Sequence, residues 1–315
     1  MYYYPLLRAR QFELIALREL AADAALQGLI VPILEPVRDA YNNLTLARSV
    51  FLQNNQKAYI IVNPIVGEYT GDGTFYIDYL EDRLNKETYL PAFHYLNNSQ
   101  YILENIERYS FEDCMILCQS DTDTSDVEFQ RLVAHDAITR LTVSSPERNR
   151  SLHRYLKGLH KIYIRQDDLF EKQLRNSDFL SIFEHKFSEE HLYFQEEGFD
   201  GFSDYTVLPS EYIDGGSSPR AIVIHLTYLH NQDQVWIRHF TSESNDSIAN
   251  VQGKFAEAAG KAVAFCEERN LSNNAIDELK SYYYNKRYPG LGTVKKISIK
   301  NHLLVLSAYL RKKYE

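Results

Sequence analysis

Three cysteines in 315 residues are too few, and odd in number, for a disulfide scaffold, so a reducing, cytoplasmic setting is expected. Cys114 and Cys118 lie four apart on an expected strand, hence on one face. Two thiols without further ligands at motif spacing read as core rather than as a zinc site. No apolar run approaches the roughly 18 residues that cross a bilayer, and Arg8, Arg10, Glu13, Arg18 and Glu19 break up any signal-peptide core, so no membrane association is expected. Familiar catalytic signatures are missing too: there is no Gly-x-Ser-x-Gly elbow, no phosphate loop ending in Gly-Lys-Ser/Thr and no His-Glu-x-x-His. A formal charge of -9 argues against a surface built wholly for nucleic acid. That average hides an asymmetry, because from Leu271 onward nine Lys and Arg face three acids. A basic stretch on an acidic body is either a partner-binding surface or a solvated helical face.

What is present is a globular composition, 44% hydrophobic and 24% charged, and a repeated βα pattern. Tyr2 to Leu7 is aromatic and apolar and ends in Arg8 and Arg10. Gln11 to Ala25 carries apolar residues at Phe12, Ile15, Ala16 and Leu20, the spacing of an amphipathic helix. After Gly28, Leu29 to Leu34 is a continuous apolar run closed by Glu35 and Pro36, as expected of a strand covered on both faces. Further strands are expected over 57–62, 89–93, 113–117, 138–143 and 159–164. After a helical segment near Arg175 to Phe187, Asp204 to Leu208 supplies an eighth. Eight parallel strands with alternating helices predict a (β/α)8, TIM-barrel-like α/β fold. The rival open doubly wound sheet needs a glycine-rich first turn, and Arg8-Ala9-Arg10-Gln11 has no glycine. Helix starts are expected at Ser125-x-x-Glu128 and Ser145-Pro146-Glu147.

The pattern changes after Pro209. A flexible loop, Gly215 to Pro219, precedes two β-rich runs, 220–228 and 234–240, that read as an antiparallel hairpin. Helices are expected near 247–269, 274–284 and 298–313. The chain thus divides into an α/β barrel body (1–209), a β-hairpin insertion (210–245) and C-terminal helices packing on the barrel (246–315).

Tyr3, Pro5, Leu7, Arg8, Arg10, Glu13, Ala16 and Leu17 together resemble the opening of the phage and bacterial beta-protein family. Pro32-Ile33-Leu34-Glu35 fits that family's next strand. Ser203-Asp204-Tyr205-Thr206 is similar to its Gly-Asp-Tyr element, with Ser203 in place of the glycine, and the Thr227-Tyr228 to Trp236-x-Arg238 hairpin fits the element that follows. With Pro289-Gly290-Leu291-Gly292-Thr293-Val294-Lys295-Lys296, the chain most resembles a bacterial subgroup found in antiphage-defence gene neighbourhoods beside a nuclease-like partner. The resemblance implies a barrel-like fold, a defence context and a protein partner; it carries no reaction.

In a barrel, polar residues at strand ends converge on one mouth. Glu35, His94, Asp121, Asp167 or Asp168, and Asp204 are the candidate acids, bases or oxygen ligands of a divalent cation. Arg8, Arg10, Asn63, Ser144 and Arg238 are candidate contacts for a phosphate-bearing ligand. Each has a plain structural alternative: Glu35 can cap a helix, and Asp167-Asp168 suits the first turn of a helix beginning near Leu169. His225 and His239 are further candidate bases, although His225 lies in a hydrophobic strand and reads as a core histidine. Tyr282-Tyr283-Tyr284 beside Lys286 and Arg287 is the best base-stacking patch. Lys295, Lys296 and Lys300 are the candidate partner or nucleic-acid contacts. Two functions remain open at this stage. One is an enzyme or sensor acting on a nucleotide or nucleic-acid ligand. The other is a non-catalytic recognition subunit that docks a nuclease-like partner.

Overall fold

Short apolar strands alternating with amphipathic helices can bury both sheet faces at once by wrapping the helices around a parallel sheet. A computed structural model describes residues 1–38, 41–70, 73–118, 122–215 and 219–314, and its chain takes this course. The first part runs β1 (Leu6–Leu7), α1 (Gln11–Ala22), β2 (Ile33–Leu34), α2 (Tyr41–Gln53), β3 (Ala58–Ile61), α3 (Thr74–Glu81), α4 (Arg83–Lys86) and β4 (Tyr89–Tyr95). It continues through α5 (Ser99–Tyr109), β5 (Cys114–Cys118), α6 (Val127–Ala134), β6 (Ile138–Ser144), α7 (Arg150–Lys157) and β7 (Ile162–Gln166). Then come β8 (Glu184–Ser188), α8 (Glu190–Tyr193) and β9 (Gly201–Ser203), the hairpin β10 (Val223–His230) and β11 (Gln234–Thr241), and three helices, α9 (Val251–Glu268), α10 (Asn274–Tyr284) and α11 (Leu291–Tyr314).

Strands β1 to β7 and β9 form one eight-stranded sheet in sequence order, every neighbouring pair parallel. Its two ends meet. Tyr4 N–H donates to Phe202 O at 2.9 Å, Phe202 N–H to Tyr2 O at 2.9 Å, and Leu6 N–H to Asp204 O at 2.8 Å. The result is the nearly closed (β/α)8 barrel that the βα count predicts. Side chains alternate across each strand, and one set fills the lumen: Tyr4, Leu6, Ile33, Tyr59, Ile61, Ala92, Met115, Leu117 and Ile164. The other set packs outward on the helices, with Leu7, Leu34, Ile60, Phe93 and Ile116 meeting Leu14, Leu17, Phe51, Ile102 and Phe129. Fully burying an aliphatic side chain of this kind is worth about 1.5–3 kcal/mol, so the two layers together carry most of the fold.

Two helical positions around the barrel depart from the expected pattern. The segment near Arg175 to Phe187 is not a helix: one 3-10 turn, Asn176–Leu180, leads into β8, which pairs antiparallel with β11. Pairing satisfies the free edge of the hairpin and buries Phe187, which outweighs the helix-like spacing of Phe179, Ile182 and Phe183. No helix begins near Leu169, and Asp167 to Arg175 runs without regular structure. The eighth barrel strand is Gly201–Ser203 rather than Asp204 to Leu208. Two helix starts also shift. The cap of α6 is Asp126, which accepts from Glu128 N–H, and α7 begins at Arg150 after a turn over Ser145 to Arg148. The expected flexible loop at Gly216 to Ser218 lies outside the described residues.

The closing helix comes from late in the chain. α11 begins at Leu291, earlier than expected, and packs along α1, with Ile299, Leu303, Leu306 and Leu310 joining the outer barrel core. Lys295 pairs with Glu13 at 2.7 Å, and Lys296 and Lys300 share Glu19 at 2.7 and 2.8 Å, Lys296 also reaching Glu278 at 2.8 Å. A second core lies between the other face of the hairpin sheet and α9 and α10, built from Ile224, Leu226, Phe240, Phe255, Ala259 and Leu279.

Where β9 meets β1 the strands leave no room for a side chain: a Cβ on Gly201 would lie 2.7 Å from the Tyr4 ring and 2.9 Å from Tyr2 O. Gly201→Val is therefore expected to destabilise the protein by about 1–3 kcal/mol, the usual cost of overpacking, measured as a lower urea midpoint with an unchanged slope.

Candidate functional site

The lumen alternation continues past the apolar layer to the carboxyl rim. Counting two residues beyond Leu6, Ile33, Ile61, Ala92, Thr142 and Ile164 gives Arg8, Glu35, Asn63, His94, Ser144 and Gln166. Glu35 has no accessible surface. A buried carboxylate costs several kcal/mol unless it is paired and hydrogen-bonded, and this one is both. The Arg8 guanidinium donates to Oε2, Ile65 N–H donates to Oε1 at 3.0 Å, and His94 Nε2 lies 3.0 Å from the same Oε1.

Burial, reinforced by the positive Arg8, pushes His94 down to about 3, so its imidazole is neutral at physiological pH. An Nε2 facing a carboxylate oxygen must then carry the proton, which makes His94 a donor to Glu35. Asn63 fixes the strand beneath it: His94 N–H donates to Asn63 Oδ1 at 2.9 Å, and Asn63 Nδ2 donates to His94 O at 2.8 Å. Across the rim, Gln166 Nε2 reaches the Tyr205 hydroxyl at 3.3 Å and Ser144 Oγ lies 3.3 Å from Gln166 Oε1. The Tyr205 ring lies under the Arg8 guanidinium, 5.4 Å from centroid to Cζ.

Residues 205–214 cross this mouth as a strap. Ser210 O accepts from the second terminal nitrogen of Arg8, and Ser210 N–H donates to Asp168 Oδ1 at 3.2 Å. Farther along, Glu211 pairs with Lys172, and Asp214 lies 2.5 Å from Arg38 and 4.0 Å from Arg10. The strap's acids thus sit on cations supplied by the loops after β1, β2 and β7. Beside the strap is a cavity of about 410 Å³ bordered by Arg10, Glu13, Val37, Arg38 and Lys295. The N-terminus of α1 opens into the same place, a favourable position for an anion.

Of the residues expected at the mouth, Arg8, Glu35, Asn63 and His94 are brought together, Arg10 and Asp168 border them, and Ser144 joins the far rim. The others are elsewhere. Asp167 lies on the outer face of the barrel, where Arg165 gathers Glu147, Asp167, Glu190 and Glu197 within 2.9 Å. Burial raises Glu190 there to about 7, Arg165 opposing it. Asp204 also turns outward, accepting from the Tyr3 hydroxyl at 2.5 Å and Thr206 N–H at 2.7 Å, with His302 Nε2 3.5 Å away. Arg238 is on the outer face of the hairpin sheet, paired with Glu184 at 3.2 Å and 4.5 Å over the Phe265 ring, so it is not a mouth residue.

Lys295, Lys296 and Lys300 are held by Glu13, Glu19 and Glu278, the last two lysines nearly buried, so they form an internal clamp rather than a free basic surface. His225 and His239 face each other across β10 and β11, their Nδ1 atoms 2.6 Å apart, and burial pushes them to about 3 and about 2. Asp121 lies outside the described residues. The expected carboxylate cluster is therefore dispersed, and among the described residues no group of three or more His, Cys, Asp or Glu side chains is placed to hold a metal ion. Sequence reasoning missed Gln166, Tyr205, Ser210 and Glu13; the period-2 count that finds His94 finds the first two as well.

Comparison with protein-family models and with curated proteins finds no match to this chain.

Removing one partner from a buried ion pair leaves the other charge stranded. Arg8→Met is expected to cost about 3–5 kcal/mol, and Glu35→Gln in the same chain should recover part of that loss, both read by urea denaturation. A pH series tests the neutral histidines. His94 and His225, held near 3 in the folded chain against an ordinary 6.5, take up protons in the unfolded chain first. Stability should be complete above pH 6.5 and fall toward pH 3, by up to about 1.4 kcal/mol per pH unit for each histidine. His94→Gln should lower that slope.

Proposed function

We propose that the chain binds a phosphate-bearing ligand, a nucleotide or a nucleic-acid end, at the carboxyl mouth of its barrel. Arg8, Arg10, Arg38 and Lys172 are the anion contacts in this reading. The observation that carries it is the strap. A carbonyl oxygen and two carboxylates of one segment occupy four cations that come from three different loops. An oxyanion ligand offers the same atoms in a similar arrangement, and guanidinium groups suit it geometrically. Exposed pairs such as Asp214 with Arg38 are worth only about 0–1 kcal/mol each, so a multiply charged ligand can displace them.

Glu35 and His94 then act as positioning residues. Three donors hold Glu35, and Glu35 holds Arg8. Binding and sensing fit this geometry better than acid–base chemistry, because the carboxylates at the mouth are already engaged, Glu35 by three donors and Asp168 by the N–H and hydroxyl of Ser210. The defence setting and the nuclease-like partner follow from the motif order of the resemblance. In that setting the chain would be the component that recognises a nucleotide or nucleic-acid signal.

Inorganic pyrophosphate is the direct probe, titrated calorimetrically against the full chain. Arg10→Gln with Arg38→Gln, both on exposed side chains, should weaken binding by about tenfold or more, the worth of one or two charged hydrogen bonds. Glu211→Gln with Asp214→Asn should strengthen it by loosening the strap. Absence of pyrophosphate binding, or indifference to both pairs of changes, would rule the reading out.

A further inference from the structure

Helices α9 and α10 enclose a second concavity, which shares no lining residue with the cavity beside the strap. Its volume is about 570 Å³, within the range of small-molecule sites. α9 presents short side chains there: Ala256 lines the pocket beside the buried Phe255 ring, and Gly253 lies under the Asn250 amide that caps the helix. Aromatic rings make the walls, from Tyr282, Tyr283 and Tyr284 at the end of α10 and Tyr288 beyond it. Tyr284 is 59% exposed, yet its hydroxyl is anchored on Glu267 at 2.5 Å, so an uncovered ring is held in place. Gln252 Nε2 donates to Lys286 O at 3.3 Å and ties the start of α9 to the turn that closes the pocket.

Charge narrows the ligand. Lys286 and Arg287 border the pocket, both exposed, and among the described residues neither forms an ion pair, the Arg287 guanidinium lying 6.0 Å over the Tyr282 ring. They differ in this from Lys295, Lys296 and Lys300, which are neutralised internally. Among the described residues no carboxylate lines the pocket, and that of Glu267 is taken up by the Tyr284 hydroxyl. A tyrosine cage for a cationic ligand relies on the ring faces and is weakened by nearby positive charge, so two free cations and no acid point to an anionic ligand with a flat π face. Tyrosine faces suit a nucleobase, and the two cations suit a phosphate.

We propose that this pocket binds a purine nucleoside monophosphate, with the base against the tyrosine rings and the phosphate on Lys286 and Arg287. The site is independent of the barrel mouth and uses none of its residues.

The test is calorimetric titration with AMP and GMP of the full chain carrying Arg10→Gln and Arg38→Gln, which remove anion contacts of the mouth, with adenosine, inorganic phosphate and a single-stranded oligonucleotide as comparison ligands. Saturable binding of at least one nucleotide is expected, with adenosine weaker by about tenfold or more through loss of its charged contacts. Lys286→Glu with Arg287→Glu should weaken nucleotide binding by a similar factor. Ala256→Phe, at an exposed helix position, should fill the floor and abolish binding, with circular dichroism verifying that the helices remain. The proposal is overturned if neither nucleotide binds this mouth-silenced chain, if adding Ala256→Phe to it leaves binding as strong, or if only single-stranded oligonucleotides bind.

Discussion

A closed parallel barrel gives the side chains inside it no solvent, so any polar group that its strands turn inward must find a partner in the lumen. At the carboxyl rim of this barrel that requirement falls on Arg8, Glu35, Asn63 and His94. The carboxylate of Glu35 receives three donors from three different strand ends or loops. Arg8 is thereby fixed in direction, and its other terminal nitrogen faces the strap. The polarity of the mouth and the placement of the strap follow from that one buried charge, while His94 is neutral because burial, reinforced by Arg8, disfavours its charged form.

Most of the barrel was legible in the sequence because its strands are short, apolar and separated by helices with clear periodicity. The strand-end rule found Arg8, Glu35, Asn63 and His94, each two residues beyond a lumen side chain. It failed at Asp167 and Asp204 because each lies one residue out of phase with the lumen positions Gln166 and Tyr205, and because the eighth strand is Gly201–Ser203 rather than Asp204 to Leu208. In a strand a one-residue error moves a side chain to the opposite face. Gln166 and Tyr205, the in-phase neighbours, are uncharged and drew no attention.

Other misreadings came from contacts that a linear pattern does not contain. Glu184 to Ser188 carries helix-like spacing but lies beside the open edge of β11, and strand pairing decides its conformation. The basic character of Lys295, Lys296 and Lys300 was plain, yet their partners, Glu13 and Glu19, are almost the whole chain away in sequence. What reads as a docking surface along the chain is in space the joint between two helices. Arg238 illustrates the same point on the hairpin, where Glu184 and three phenylalanine rings absorb its charge.

That joint between α1 and α11 governs how the protein can reach its native state. Lys295 and Glu13 are separated by 282 positions, and β1 contributes only two ladder residues of its own. Within the barrel β1 and α1 are made well before α11, so the side of α1 that α11 covers stays open while α2 and the strands close over the rest of the helix. Loop closure over such a separation must precede the contacts that reward it, which slows folding and lengthens the time apolar surface stays open. The barrel is thus locked by contacts between α1 and a helix almost the whole sequence away from it.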